Sequence, residues 1–185
     1  MSEIKKRFVM GVDPGIKGAI SVLDLYSPTL IHGQRSFELI GVWDMPTTTV
    51  KVGLSSKNKI DLHKLTLLVG LHAKQTMVAM VEEVGVMSGE EGRVSMFNFG
   101  YSAGAIAGII ASSLIPIHMI KPSVWKSDMG LSSNKTESRD MASNLFPSHI
   151  SQFKRAMDDG RAEAALLAYY AANHILSEIK KEKIS

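Results

Sequence analysis

Apolar runs and polar breakers alternate along the chain in an order that predicts strands first and helices later. In the first third, runs of aliphatic and β-branched residues are bounded by Gly, Pro or charged residues, which is typical of strands. Short connections between them favour an antiparallel meander. The predicted strands span residues 8–12, 18–25 and 38–45.

The rest of the chain predicts helices that alternate with two more strands. Asp61 is predicted to cap a helix, and the apolar run 77–84 is typical of a strand covered on both faces. A polar, glycine-bearing loop is predicted over 85–93. Further elements are predicted as a helix at 96–112, a strand at 115–120, and helices at 135–145 and from about 158 to 183. We therefore expect an α/β fold with a mixed five-stranded sheet flanked by helices, its first, fourth and fifth strands parallel at the centre.

Composition favours one ordinary domain over residues 1–185. Hydrophobic residues make up 45% and charged residues 21% of the chain, and there is no cysteine. The lack of cysteine excludes a disulfide framework and a thiolate metal site. No apolar stretch approaches the ~20 residues that span a bilayer, so we expect a cytoplasmic protein without a membrane segment. A net charge of +3 permits a polyanionic partner without requiring one.

Two acidic positions lie at predicted strand ends. Asp13 follows the first strand and precedes a Pro-Gly turn, and ligands in such sheets gather at the carboxyl ends of parallel strands. An Asp there is also a common turn former. Glu82 and Glu83 interrupt the apolar fourth strand on opposite faces, so at most one of them joins Asp13. The alternative is that both have reached the exposed end of that strand.

A third acidic group opens the last predicted helix. Asp159 and Glu163 are four residues apart and therefore share a helix face, where no cation at helical spacing relieves their repulsion. Asp158 and Asp159 also suit a helix N-terminus as caps. Carboxylates without cysteine or paired histidines suit Mg²⁺ or Mn²⁺, because these ions prefer oxygen ligands. The acids together indicate a metal site.

The order and spacing of four short motifs resemble those of the RuvC-like Holliday junction resolvases of the RNase H-like superfamily. The resemblance extends from residue 9 to about residue 170. The motifs are Gly11-Val-Asp13-Pro-Gly15, then Val81-Glu82-Glu83-Val84, then Lys121-Pro-Ser-Val-Trp-Lys126 with a following Lys135, and finally Asp159-Gly-Arg-Ala-Glu163-Ala.

The resemblance implies an RNase H-like fold and a metal-dependent endonuclease that cuts four-way DNA junctions by paired phosphodiester hydrolysis. It implies a homodimer, because resolution needs two opposed cuts. It also implies that Lys126 stabilises developing charge at the scissile phosphate. The implied ligands of Mg²⁺, for which Mn²⁺ would substitute, are Asp13, Glu82, Asp159 and Glu163, and the implied DNA contacts are Lys121, Lys126, Lys135 and Arg139.

The chain departs from the family pattern at two positions. Glu163 stands where the family more often has Asp, and Gly85 stands where bacterial members carry an aromatic residue that enters the junction. Aromatic residues just beyond that loop either replace it by stacking or belong to the core of the next helix. Trp125 is interpreted as a loop anchor, with base stacking as the alternative. The candidate aromatic residues beyond the loop are Phe97, Phe99 and Tyr101.

Two other functions remain open from the residues alone, and a third resemblance does not fit the length of the chain. A decayed nuclease fold that binds junctions without cutting them carries the same motifs, and so does an RNase H-like nuclease of broader specificity. The Asp13 turn also resembles the phosphate-binding hairpin of actin-like ATPases and sugar kinases. Those enzymes require a second domain of similar design, for which 185 residues leave no room.

Overall fold

A computed structural model describes residues 6–31, 34–53, 55–83, 85 and 92–182 of the chain. Within these residues seven strands and five α-helices are joined by short turns and two 3₁₀ segments, Pro147–Gln152 and Ala156–Asp158. The strands are β1 (Phe8–Asp13), β2 (Ala19–Ile31), β3 (Gln34–Asp44), β4 (Thr47–Val52), β5 (Ser55–Ile60), β6 (Thr76–Glu82) and β7 (Ile117–Ile120). The helices are α1 (Leu62–Ala73), α2 (Arg93–Ser112), α3 (Pro122–Asp128), α4 (Lys135–Leu145) and α5 (Asp159–Glu182).

The large sheet has the strand order β3-β2-β1-β6-β7. Strands β1, β2 and β3 pair antiparallel, whereas β6 runs parallel to both β1 and β7. The predicted mixed five-stranded sheet is therefore confirmed. One detail was wrong, because β7 lies at the sheet edge and not at its centre.

Three elements were not predicted from the sequence: the strands β4 and β5 and the helix α3. A separate antiparallel pair, β4 and β5, occupies the stretch between the third predicted strand and Asp61. It lacks an alternating apolar face, which is the signal that predicts a strand. Helix α3 begins at Pro122, because proline fits the first helical position even though it stops the preceding strand. Asp61 caps α1 as predicted and accepts a hydrogen bond from the Lys64 amide at 3.0 Å.

Helices cover both faces of the large sheet. On one face, Leu65 and Val69 of α1 and Ile106 and Ile110 of α2 are fully buried against β1, β2 and β6. On the other face, the apolar stripe of α5 packs with α4 and the opposite side of the strands. No helix in the described ranges is both long and apolar enough to cross a membrane.

Helix α5 contacts β1 through backbone as well as side chains. A Cβ atom added to Gly11 would lie 2.1 Å from the Ala164 carbonyl oxygen and 2.5 Å from the Ala168 amide nitrogen. The Ser21 hydroxyl donates to the same Ala164 oxygen at 2.7 Å. This close approach is possible because glycine has no side chain. It places the first turn of α5 beside the carboxyl end of β1.

Candidate active site

Asp13 lies between the β1–β2 turn and the first turn of α5. The Gly15 amide donates to Asp13 Oδ1 at 3.4 Å, and the Gly18 amide closes the turn onto the Gly15 carbonyl oxygen at 2.9 Å. A Cβ atom added to Gly160 would lie 3.1 Å from Asp13 Oδ2 and 2.4 Å from the Lys17 carbonyl oxygen. The carboxylate is thus held at the rim of the sheet, against the helix start.

Three carboxylates act on one another at this rim. Burial, followed by the charges of Glu82 and Glu163, raises the pKa of Asp13 to about 7. Burial and the charge of Glu163 also raise the pKa of Glu82. Of the two adjacent glutamates, it is the charge of Glu82 that acts on Asp13. The ends of β1 and β6 and the start of α5 therefore bring three predicted site residues together.

Trp125 and Lys126 connect two of these acids. The Trp125 indole, fully buried in α3, donates from Nε1 to Glu82 Oε2 at 2.9 Å. Lys126 Nζ lies 2.6 Å from Glu163 Oε1 and 5.3 Å from the centroid of the Trp125 ring. Both interpretations of Trp125 were wrong, because it belongs to a helix and its ring is not accessible to a base. Its role in the structure is to orient Glu82.

Asp159 pairs with two cations from α4. Its carboxylate forms an ion pair with Arg139, and its Oδ2 lies 3.4 Å from Lys135 Nζ. Asp158, by contrast, is buried and accepts hydrogen bonds from the backbone amide of Arg155 at 2.8 Å and from its guanidinium at 2.7 Å. These bonds hold the pKa of Asp158 below its ordinary value. Asp158 is a structural cap, and Asp159 faces the basic side chains.

The basic residues expected to contact DNA mostly neutralise acids here. Lys126, Lys135 and Arg139 all take part in ion pairs with Glu163 or Asp159. The sequence offers no cation at helical spacing on α5 itself, and the structure supplies cations from other helices. The cations come from α3 and α4, whose position is set by tertiary packing. Lys121, the fourth expected contact, is an exposed residue that precedes α3.

The donor set fits a divalent cation by its chemistry. Carboxylate oxygens are the ligands that Mg²⁺ and Mn²⁺ prefer. Burial, and after it the repulsion between the acids, raises the pKa of Asp13 and Glu82, and a bound cation would relieve that repulsion. No lysine or arginine in the described part of the chain forms an ion pair with either residue. As the side chains stand, no three acidic or histidine residues among those described are grouped closely enough to hold a metal.

A scan against protein-family models and a search of curated proteins found no match. A search of solved structures found Thermus thermophilus RuvC, at a TM-score of 0.57 and 16% identity over 90% of this chain and 96% of that one. T. thermophilus RuvC in complex with Holliday junction substrate aligns at a TM-score of 0.55 and 14% identity, over 91% and 96% of the two chains. The chain has the RuvC-like fold. The yeast mitochondrial Holliday junction resolvase Ydc2 aligns at a TM-score of 0.47 and 17% identity, over 98% and 86%.

Two residues that support the site in this RuvC-like fold were missed from sequence. Gly160 lets the turn that follows Asp13 pack against the start of α5, because a side chain at residue 160 would collide with that turn. The signal in the sequence was a glycine in the first turn of a helix, between two acidic residues. Asp44 accepts hydrogen bonds from the Arg161 guanidinium at 2.5 and 2.6 Å, which ties the start of α5 to the end of β3. No motif in the sequence marked Asp44 as a partner.

The candidate aromatic residues lie on α2. Phe97 and Tyr101 are 71% and 59% exposed on α2, with ring centroids 6.4 Å apart and nearly parallel. The interpretation of these two residues as core was therefore wrong. Phe99 is half-buried. Most of the loop before α2, residues 86–91, lies outside the described residues.

Proposed function

We propose that this protein is a metal-dependent endonuclease that resolves four-way DNA junctions by paired phosphodiester hydrolysis. The observation that carries the proposal is the convergence of Asp13, Glu82 and Glu163 at the carboxyl ends of two parallel strands, beside a group of cations. Ligands of open α/β sheets bind at such strand ends. The RuvC-like fold adds support, since T. thermophilus RuvC has been solved with a Holliday junction substrate.

The metal ligands in this proposal are Asp13, Glu82, Asp159 and Glu163. When bound, Mg²⁺, or Mn²⁺ in its place, supplies a Lewis acid and an activated water for phosphodiester hydrolysis. The ligands must first leave their present partners, because Lys126 holds Glu163 and Arg139 holds Asp159. A DNA phosphate offers these cations an alternative anion. Binding of DNA and freeing of the carboxylates are therefore linked in this scheme.

The cations then act on the DNA. Lys126 stabilises negative charge that develops at the scissile phosphate, because its short contact with Glu163 already places its ammonium among the acids. Lys135 has a side chain that is 68% exposed, and together with Lys121 and Arg139 it contacts neighbouring phosphates. Such contacts orient the duplex without reading its sequence.

The proposal includes a homodimer, because two opposed cuts require two active sites. Phe97, Tyr101 and Gly104 follow one another at helical spacing on α2, and all three are exposed. No charged residue occurs between Val94 and Ser112. An uncharged, partly aromatic face suits a second copy of the chain and does not suit a polyanion.

Cleavage of a synthetic four-way junction in Mg²⁺ tests the proposal. We expect Asp13→Asn to bind the junction and to lose at least about a hundredfold in cutting rate, since a carboxylate ligand is replaced by an amide. The matched control is Asp140→Asn, which alters an exposed acid of α4 that forms no ion pair in the described part of the chain. It should cut like the wild type.

Three outcomes would contradict the proposal. Equal cutting by the wild type and Asp13→Asn would exclude the acidic site. Wild-type protein that binds the junction and never cuts it would indicate a non-cleaving binder. Cutting of linear duplex or RNA hybrids at a comparable rate would indicate a nuclease of broader specificity.

A further inference from the structure

Strands β4 and β5 form an exposed two-stranded ribbon outside the large sheet. They pair antiparallel from Thr47 opposite Ile60 to Val52 opposite Ser55, and the segment from residue 55 to residue 59 is exposed throughout. Ile60 is buried at the base of the ribbon. A ribbon of six residue pairs extends roughly 20 Å from its base, at about 3.4 Å per residue.

The base of the ribbon lies at the same rim of the sheet as the acidic site. Asp13 pairs with Ala19, and Ala19 pairs in turn with Asp44 at the end of β3. Two strand spacings therefore separate Asp13 from Asp44, which is roughly 10 Å. Backbone bonds fix the two ends of the ribbon there: the Met45 amide donates to the Gly18 carbonyl oxygen at 2.9 Å, and the Asp61 amide donates to the Pro46 oxygen at 2.8 Å.

The ribbon carries positive charge and no negative charge. Lys51, Lys57 and Lys59 lie on it, and no Asp or Glu occurs between residue 45 and residue 60. Lys57 and Lys59 are two apart on β5 and so point to the same face, opposite Val50 and Thr48. Both are exposed. Within the described ranges none of the three lysines forms an ion pair with an acid, in contrast to those at the acidic site.

We propose that this ribbon is a second DNA-binding element, which contacts the phosphate backbone of one duplex arm next to the acidic site. The inference rests on the proposed function and adds a surface that the acidic site does not include. A two-stranded ribbon fits the major groove of DNA, which is about 12 Å wide. Lysine contributes a point charge that binds phosphate and carries little base information. The ribbon therefore strengthens binding without selecting a sequence.

The test is the salt dependence of binding to a fluorescent synthetic four-way junction and to a linear duplex, without divalent metal. Each phosphate contact contributes about 0.9 to the slope of log K against log salt concentration. We expect the double variant K57Q/K59Q to lower that slope by roughly two for both probes. The matched control is K6Q/K74Q, two exposed lysines at the opposite end of the sheet, where the Arg7 amide bonds the Gln75 oxygen at 2.8 Å.

The outcomes separate this inference from the proposed function. If the wild type binds and cuts the junction while K57Q/K59Q shows the slope of K6Q/K74Q, the ribbon inference is overturned and the proposed function stands. If the wild type binds neither probe, both fail. All four lysines are exposed, so we expect both variants to have the thermal unfolding midpoint of the wild type. With equal midpoints, a changed salt slope reports a lost contact with DNA and not a loss of folding.

Discussion

At the scale of single residues, the carboxylates of the acidic site differ in whether a cation forms an ion pair with them. Asp159 and Glu163 are compensated by cations of the same chain, whereas Asp13 receives only the Gly15 amide at 3.4 Å among the described residues. Burial, followed by the charges of Glu82 and Glu163, raises the pKa of Asp13 to about 7. An uncompensated buried carboxylate destabilises the folded state once it is ionised. We expect the metal-free protein to have a lower free energy of unfolding when Asp13 is ionised.

The pH dependence of stability in the metal-free protein tests the environment of Asp13. In the unfolded chain its pKa is near the ordinary 3.8 and in the folded chain it is about 7, so the folded state binds the proton more tightly. The free energy of unfolding should therefore fall as pH rises between these values. Asp13→Asn should unfold like the wild type near pH 4 and should be more stable near pH 8, by at most about 4 kcal/mol.

Urea unfolding in EDTA across that range measures the effect. Asp140→Asn serves as the control, because its carboxylate is exposed on α4 and should give no stabilisation near pH 8. If Asp13→Asn and the wild type have the same free energy of unfolding near pH 8, burial and the charges of Glu82 and Glu163 do not raise the pKa of Asp13 as the structure indicates.

At the scale of elements, the sequence predicted those parts of the fold that hydrophobic periodicity defines. Helix α4 was predicted with its observed bounds, and β1 and β6 were predicted to within two residues at either end. The β4–β5 ribbon was missed because most of its residues are polar, so no apolar alternation marks it. Strands β2 and β3 are longer than predicted, because the extra part of β2 contains Ser27-Pro28 and the extra part of β3 begins with the polar residues 34–36, neither of which is typical of a strand.

The sequence predicted the acidic residues of the candidate site, but it did not predict the hydrogen bonds and ion pairs that hold them. Asp13 and Glu82 were found because a charge at the end of an apolar strand is unusual, and that signal is local. The Trp125 hydrogen bond to Glu82 and the Arg139 pair with Asp159 join elements 43 and 20 residues apart in sequence. Such partners depend on how α3 and α4 pack against the rest of the fold. Hydrophobic periodicity within one element does not predict that packing.

The packing of α5 on β1 is the element contact that places the site. We expect Gly11→Ala to destabilise the protein by about 1–3 kcal/mol or more, because the new methyl group would lie 2.1 Å from the Ala164 oxygen and α5 must shift. Gly70→Ala is the matched control. It lies in α1 with open space around the added Cβ and should stabilise the protein by roughly 0.5–1 kcal/mol.

Thermal or urea unfolding of the two variants measures this difference. A Gly11→Ala variant as stable as Gly70→Ala would contradict the close approach of α5 to β1. Since the same contact sets the distance from Asp13 to the first turn of α5, junction cutting should fall in Gly11→Ala and should be unchanged in Gly70→Ala.

At the scale of the whole molecule, charged and uncharged surfaces lie on different parts of the fold. The acids, their cations and the lysine ribbon lie at or extend from one rim of the sheet. From residue 94 to residue 112, α2 has no charged residue, and this part of the helix exposes two aromatic rings. A surface without cations gains little binding free energy from DNA phosphates. We therefore expect the two surfaces to bind different partners. A second copy of the chain bound at α2 would supply the second acidic site that two opposed cuts require.

Sedimentation and cleavage together test this arrangement. We expect wild-type protein to sediment as a dimer and Tyr101→Asp to sediment as a monomer, because a buried unpaired carboxylate at an apolar interface is costly. Tyr101 is 59% exposed in the single chain, so the thermal midpoint of the variant monomer should not fall from loss of core packing. Ile150→Asp, at a residue 43% exposed far along the chain from α2, is the control and should remain dimeric. The monomeric variant should nick one strand of a four-way junction where the dimer makes paired cuts, and a Tyr101→Asp protein that stays dimeric would exclude α2 as the interface.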